Sequence, residues 1–212
     1  MLTVHHLGIS QSDRIVWLCE ELGIAYTLRH YERDPVSRMA PPAYRALHAF
    51  GTAPVITDGD LVLGESGAII EYLISRHGGG RLSVSPDAPN YADYLFWFHF
   101  ANGSVMPSAM VDLIVSRIGG EALESTRNLR ERSDRAYAMI EERLGKVDYL
   151  AGSEFTAADI IMLFPLTTMR MFIQRDLTPY PNIRAYLQRI GARPAYQRAM
   201  KKADPDLPPQ LT

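Results

Sequence analysis

The chain of 212 residues contains a single cysteine, Cys19. One cysteine cannot form an internal disulfide, so the sequence predicts a protein of a reducing compartment, the cytoplasm. The opening residues MLTVHHLGIS have neither the basic segment nor the continuous apolar run of a secretory leader. No window approaches the ~18 uninterrupted apolar residues of a membrane-spanning helix. We therefore expect a soluble protein with no membrane partner.

The sequence also has no excess of positive charge, because 22 Lys and Arg residues against 24 Asp and Glu residues give a net charge of −2. This balance offers no general attraction for nucleic acid. The six histidines have no metal-ligand spacing, and His5 and His6 are adjacent in a predicted strand, where they point to opposite faces. Cys19 has no CxxC partner and lies on the apolar face of a predicted helix, which is typical of a core residue. We expect no metal site, no redox thiol and no nucleic-acid partner.

A change of pattern near residue 77 divides the chain. Three glycines, two prolines and two serines interrupt residues 77–90, so we place a linker at residues 78–90. Before it, short strands alternate with helices in the order βαβ, connecting segment, ββα, which predicts a thioredoxin-like α/β domain over residues 1–77. The predicted strands are residues 2–7, 26–31, 55–57 and 61–63, and the predicted helices are residues 14–22 and 66–77.

After the linker, residues 91–212 have a helical pattern throughout, so the predicted fold class is an α/β domain followed by an all-α domain. We predict helices over residues 91–117, 121–144 and 160–172. The last of these is apolar on every side, which is typical of the centre of a bundle. Its start is marked by a capping box, Thr156 with Asp159, and by a hydrophobic staple between Phe155 and Ile160.

The sequence Gly51-Thr-Ala-Pro54-Val55 is followed ten residues later by Glu65 and Ser66, at the start of an apolar helix. The backbone beside Pro54 can be offered to a peptide-like ligand. A carboxylate, a hydroxyl and the first N–H groups of a helix lie nearby in sequence. This combination suits a small amino acid derivative that carries its own carboxylate and amine. The alternative is that Ser66 only caps the helix and Glu65 is a solvated turn residue.

Three runs of sequence together resemble soluble glutathione S-transferases, in order and over essentially the whole chain. The segment with Arg33-Asp34 and Ala40-Pro41-Pro42 is similar to that of the bacterial and fungal, theta-like branch that uses a serine. The resemblance implies glutathione as co-substrate, a hydrophobic electrophile as second substrate, a homodimer and a role in detoxification. The three runs are HHLGISQSDRIVWLCEELGIAYTLRHYERD, HAFGTAPVITDGDLVLGESGAIIEYL and LAGSEFTAADI.

The resemblance also implies roles in binding glutathione. Pro54 would be cis, and the backbone of Val55 would pair with the cysteine portion of glutathione. Glu65 and Ser66 would hold the γ-glutamyl end. Many relatives carry a lysine or arginine where this chain has Thr52. The salt bridge to the glycine carboxylate would then be missing, or it would be supplied elsewhere, by His48 or Arg38.

The thiol of glutathione must ionise to attack an electrophile, yet an ordinary thiol titrates near ~8.5. In similar transferases a serine follows the first strand with an arginine four residues later, and Ser10 and Arg14 have this spacing. Ser10 is therefore the candidate catalytic residue. Two alternatives stay open: Ser10 forms a capping box with Asp13, or Ser12 provides the hydroxyl. Gln11 stands where an arginine is common in this branch, so its part in ligand binding is open.

The second substrate is expected on the helical domain, where Asn102 and Ser104 interrupt an aromatic helix and are weak candidates for the pocket. The same thiolate could also reduce organic hydroperoxides, which would make the protein a glutathione-dependent peroxidase. An interpretation of another class is a transferase-shaped domain without activity that serves protein interaction. Fold alone does not separate these functions.

Overall fold

The computed structural model describes residues 1–120 and 122–212. These residues form two compact units, one of residues 1–83 with 192–209 and one of residues 84–191 with 210–212. None of the helices in the described ranges combines the length and the hydropathy that a membrane span requires. The strands are β1 Leu2–Leu7, β2 Thr27–Tyr31, β3 Val55–Asp58 and β4 Leu61–Gly64. The helices are α1 Asp13–Leu22, α2 Pro42–Arg45, α3 Ser66–Arg76, α4 Tyr91–Phe100, α5 Met106–Arg117, α6 Glu124–Leu144, α7 Ala157–Leu166, α8 Pro181–Gly191 and α9 Pro194–Ala203.

The first unit contains a four-stranded sheet in the order β2-β1-β3-β4. Strands β1 and β2 are parallel because α1 connects them as a crossover, and the other pairs are antiparallel. The turn between β3 and β4 contains Gly59 at φ 61°, a conformation that suits glycine. The predicted thioredoxin-like βαβ-ββα order is confirmed.

Helix α9 belongs to the first unit, although the sequence analysis placed residues 91–212 together in the helical domain. Trp17 of α1 is fully buried and meets the ring of Tyr196 edge-on, with centroids 5.2 Å apart. Glu21 of α1 also accepts two hydrogen bonds from Arg193, at 2.7 and 2.9 Å. The partner surface for α1 therefore comes from a segment about 180 residues further along the chain, a separation that local periodicity does not reveal.

The second unit is a helical bundle in which every residue of α7 is buried. The predicted capping box is confirmed: the Thr156 hydroxyl accepts from the Ala158 N–H at 3.3 Å, and Asp159 accepts from the Thr156 N–H at 2.9 Å. Asp159 is itself fully buried. It also accepts from the Leu150 N–H at 2.9 Å and from the Tyr186 hydroxyl at 3.1 Å. Thus one carboxylate joins the start of α7 to α8 and to the preceding loop.

Two predicted helix features differ from the structure. The helix predicted over residues 160–172 ends at Leu166, because Pro165 has no N–H to donate to the preceding turn, and a 3₁₀ turn follows at Thr168–Met171. The predicted interruption near residue 103 is a π-helical turn, Ala101–Val105, that keeps the chain helical. The predicted helix start at Glu121 lies outside the described residues.

Replacement of Asp159 by alanine is expected to lower the free energy of unfolding by at least ~1–2 kcal/mol, because buried N–H groups lose their acceptor. Burial raises the pKa of Asp159 from 3.8 to about 6. As pH rises, the unfolded chain loses this proton before the folded chain does. The Asp159 contribution to stability is therefore present below pH 3.8 and is lost as pH rises to about 6, at about 1.4 kcal/mol per pH unit.

The matched control is Asp159→Asn, which keeps the shape of the side chain but cannot titrate. Urea unfolding of both proteins at a series of pH values measures the effect. The stability advantage of the parent over Asp159→Asn should shrink as pH rises through this window. A constant difference across the window would contradict the burial-driven shift.

Candidate functional site

Three chain segments meet at one end of the sheet in the first unit. Val55, the first residue of β3, pairs with both His5 of β1 and Gly64 of β4. Because β3 is antiparallel to both neighbours, its start lies beside the ends of β1 and β4. The loop that carries Ser10 follows β1, and Glu65 follows β4. The sheet thus brings these candidate segments together, and the Ala53–Pro54 peptide bond at this end is cis, as predicted.

The Ser10 hydroxyl lies in a short hydrogen-bonded turn after β1. Its Oγ donates to the Leu7 carbonyl at 2.6 Å and lies 2.7 Å from Ser12 Oγ. Ser12 is fully buried, whereas Ser10 keeps a small exposed fraction, 5 %. Helix α1 starts at Asp13 with Ser12 as its N-cap residue and without a side-chain cap. The capping-box alternative for Ser10 is therefore wrong, because Ser12 occupies the N-cap position. The Ser10 hydroxyl instead binds the end of β1 and accepts from the Ser12 N–H at 3.3 Å.

The residue before Ser10 has an unusual backbone conformation. Ile9 has φ 53°, a region that β-branched residues avoid at a cost of ~1–3 kcal/mol. Arg33 holds this bend by donating from Nε to the Gly8 carbonyl at 2.7 Å and from Nη2 to the Ile9 carbonyl at 3.0 Å. Asp204 accepts from the Ile9 N–H at 3.2 Å. The bend sets the direction in which the chain enters Ser10.

Sequence reasoning missed both of these supports. Arg33 was noted only as part of a branch-specific segment, and Asp204 was not considered. The sequence signal for Arg33 is its position two residues after β2, at the same sheet end as Ser10. No sequence signal identifies Asp204, which comes from the far end of the chain.

Arg14 connects the Ser10 loop to the start of α3. Its guanidinium is fully buried and donates from Nη1 to Gln11 Oε1 at 3.0 Å and to Ser66 Oγ at 3.2 Å. Burial lowers the pKa of Arg14 to about 10, so the group still carries its charge at neutral pH. Gln11 therefore contacts the arginine of this motif, and a buried positive charge lies between the two candidate segments.

Glu65 and Ser66 lie at the N-terminus of α3. Glu65 is exposed and has φ 65°, a strained conformation for a residue with a Cβ. Ser66 is the first helical residue, 2 % exposed, and its hydroxyl accepts from Arg14. The alternative in which Ser66 is only the helix cap is wrong, since Glu65 occupies that position without a side-chain cap.

The candidates for the glycine carboxylate differ in their surroundings. His48 is half-buried, accepts from the Phe50 N–H at 3.3 Å through Nδ1, and packs on Gly64, where an added Cβ would lie 3.3 Å from its ring. Thr52 and Arg38 are exposed. His48 is thus placed next to the strand end that leads into Glu65, and its role stays a prediction.

The remaining candidates lie elsewhere. Asn102 and Ser104 are on the π-helical turn of the second unit, and their role in a pocket stays a prediction. Cys19 is fully buried, which raises the pKa of its thiol to about 12 and leaves it protonated at neutral pH. Within residues 1–120 and 122–212, no three His, Cys, Asp or Glu side chains are grouped closely enough to hold a metal ion.

Comparison with known families agrees with this architecture. Residues 5–81 match the model described as "Glutathione S-transferase, N-terminal domain", and residues 104–194 match "Glutathione S-transferase, C-terminal domain". The chain therefore belongs to the glutathione S-transferase family. It is an enzyme that transfers glutathione, and glutathione is its co-substrate.

Individual relatives cover nearly the whole chain. Glutathione S-transferase 3 of Schizosaccharomyces pombe is 32% identical over 218 residues, which span 96% of this chain and 88% of that protein. A solved glutathione S-transferase from Actinobacillus pleuropneumoniae has a TM-score of 0.87 and 32% identity, over 96% of this chain and 93% of that one. A glutathione transferase from Phanerochaete chrysosporium, solved with oxidized glutathione, has a TM-score of 0.75 at 20% identity, over 95% and 94% of the two chains. This last similarity is one of fold.

Replacement of Arg33 by alanine is expected to destabilise the protein by about 1–3 kcal/mol, because the bend at Ile9 loses two charge-assisted hydrogen bonds. Urea unfolding measures the loss. Arg38→Ala is the matched control: Arg38 is exposed and receives an Arg33 hydrogen bond only at its backbone carbonyl. We expect a change within about 0.5 kcal/mol for the control. Equal stability of the two variants would show that Arg33 does not hold the bend.

Proposed function

We propose that this transferase conjugates the glutathione thiolate to hydrophobic electrophiles, with Ser10 as the residue that stabilises the thiolate. The observation that carries the proposal is the position of Ser10 at the sheet end where Val55 and Glu65 also lie. This arrangement supports a serine-type enzyme of the theta-like branch.

The energetics of the proposal are favourable. A hydrogen bond from a neutral hydroxyl to a charged sulfur contributes ~1.5–3 kcal/mol, which lowers a thiol pKa by roughly one to two units. The ordinary thiol pKa of ~8.5 then approaches neutrality. The buried charge of Arg14 and the N-terminus of α1 act in the same direction.

We further propose how glutathione is held. The backbone at Val55 pairs with the cysteine portion of glutathione, in the manner of an added strand. Glu65 accepts from the γ-glutamyl ammonium, while Ser66 and the start of α3 meet its α-carboxylate. His48 meets the glycine carboxylate, since Thr52 carries no charge. The support for this assignment is the meeting of these segments at one sheet end and the exposure of the Glu65 carboxylate.

The proposal extends to assembly and location. Large apolar side chains are exposed, Phe50 at 72 % and Ile114 at 55 %, and a homodimer would cover such surfaces. Sedimentation that gives the monomer mass of 23.8 kDa would contradict the homodimer.

The single, buried Cys19 favours a cytoplasmic protein. On the helical unit, Asn102 and Ser104 are proposed to contact the electrophile, because they lie on a π-helical turn and such turns are frequent at functional sites.

The activity is tested first by calorimetric binding of glutathione and then with a panel of aryl halides, epoxides, unsaturated carbonyls and organic hydroperoxides. Turnover of the first three substrate classes supports conjugation. Turnover of hydroperoxides alone would replace the proposal by a peroxidase, and absence of glutathione binding would reject the proposed site.

Glu65→Ala and Ser66→Ala are each expected to weaken glutathione binding by about ten- to a hundredfold, because each removes a charge-assisted contact. Calorimetry measures the affinity, and circular dichroism verifies the fold. Glu71→Ala is the control, since Glu71 is exposed further along the same helix. Unchanged affinity in both test variants would reject the assignment of the γ-glutamyl end.

Ser10→Ala is expected to raise the pKa of enzyme-bound glutathione by about one unit or more and to lower turnover at neutral pH, with little change in glutathione affinity. The ultraviolet absorbance of the thiolate in the complex follows the titration. If Ser10 only braces the end of β1, the variant loses stability while the titration stays in place. That result would remove Ser10 from the catalytic step.

A further inference from the structure

Four polar side chains form a continuous chain beneath the Ser10 hydroxyl. Ser10 Oγ lies 2.7 Å from Ser12 Oγ, and Ser12 Oγ lies 2.9 Å from His6 Nδ1. On the other side of the ring, His6 Nε2 lies 3.2 Å from Asp204 Oδ2. Ser12 and His6 are fully buried, and the Asp204 side chain is 20 % exposed. The chain thus leads from the reaction site, through the first unit, to a partly solvated carboxylate.

We propose that this chain is a proton relay in which His6, held by Asp204, takes up the proton that the glutathione thiol loses. The proposal rests on the proposed function, since it needs Ser10 to contact the sulfur. Ser12, His6 and Asp204 act through Ser10 and are therefore positioning residues.

The proton positions before the transfer follow from the partners. Burial raises the pKa of Asp204, but the contacts with His6 and the Ile9 N–H outweigh this effect and lower the pKa overall, so Asp204 is ionised. A carboxylate 3.2 Å from Nε2 favours a proton on that nitrogen, which leaves Nδ1 of the neutral ring as an acceptor. Ser12 then donates to Nδ1. For the relay, the Ser10 hydroxyl turns its one proton from the Leu7 carbonyl, 2.6 Å away, to Ser12 Oγ, 2.7 Å away.

The proton transfer reverses the direction of the Ser10–Ser12 and Ser12–His6 hydrogen bonds. The S–H bond of glutathione breaks as Ser10 Oγ takes its proton, Ser10 gives its own proton to Ser12, and Ser12 gives its own to His6 Nδ1. Both serines end as neutral hydroxyls, and the total charge is unchanged. The products are a glutathione thiolate and an imidazolium paired with Asp204. Ser10 now donates to the sulfur, which is the contact that stabilises the thiolate.

Within the described residues, few other charged or titratable groups lie near the His6 ring. The His30 ring of β2 lies 5.5 Å from the His6 ring, edge-on. Arg33 acts on the ring indirectly, because its charge interacts with Asp204. The carboxylate at 3.2 Å is the nearest of these charges to the imidazolium and has the sign that stabilises it.

His5 provides a matched comparison in the same strand. It is also buried, but its ring contacts the Tyr31 hydroxyl at 3.0 Å and Thr57 Oγ1 at 3.1 Å, on the opposite face of the sheet. It therefore has no link to Ser12. Asp206 is the corresponding comparison for Asp204, since it lies exposed two residues further along the chain.

The test measures two quantities as glutathione binds: thiolate formation, by ultraviolet absorbance, and proton release to solvent, by calorimetry in buffers of different ionisation enthalpy. The parent enzyme should form thiolate with release of far less than one proton per thiolate. His6→Gln should release about one proton per thiolate and raise the pKa of the bound thiol by about one unit or more. Asp204→Asn should change both quantities in the same direction, while His5→Gln and Asp206→Asn should behave like the parent.

Asp204→Asn keeps the test valid if His6→Gln does not fold, because Asp204 lies at the partly exposed end and asparagine can still accept from the Ile9 N–H. Release of one proton per thiolate by the parent would overturn the relay. So would unchanged proton release in Asp204→Asn. If Ser10→Ala shifts the thiol titration while the His6 and Asp204 variants do not, the relay is wrong and the proposed function stands. If Ser10→Ala has no effect either, the proposed function itself fails.

Discussion

The site depends on one strained turn that is held from two sides. Ile9 adopts a backbone conformation that its branched side chain disfavours, and Arg33 and Asp204 supply the hydrogen bonds that offset this cost. Because Ile9 immediately precedes Ser10, the position of the hydroxyl follows from these contacts. The strain is local, whereas its supports come from the end of the second strand and from beyond the last helix.

Most of the first unit could be predicted because its signals are local. The strands, the crossover helix and the hairpin follow from alternation, periodicity and turn residues within short windows. The capping box at Thr156 and Asp159 was equally readable, since both partners lie within one helical turn. The meeting of Ser10, Val55 and Glu65 at one sheet end then follows from strand directions alone.

What could not be predicted depends on contacts between distant parts of the chain or on backbone conformation. The packing of α9 on α1 depends on a tertiary contact between Trp17 and Tyr196. The sequence of neither helix indicates this partner. The choice between Ser10 as a cap and Ser10 as a strand-end hydroxyl depended on where α1 begins, which pattern alone sets only within a few residues. His6 was noted only as a strand residue without metal-ligand spacing, since its partners Ser12 and Asp204 become visible only once the chain is folded.

The origin of Asp204 has a consequence for synthesis. The ribosome produces the chain from the N-terminus, so the sheet, Ser10 and the strained turn all emerge well before residue 204 does. Until then the Ile9 N–H has no carboxylate and His6 has no counter-ion. A nascent chain with its first 83 residues exposed therefore holds the turn before Ser10 from one side only, through Arg33. The second support of this turn can form only after residue 204 has been translated.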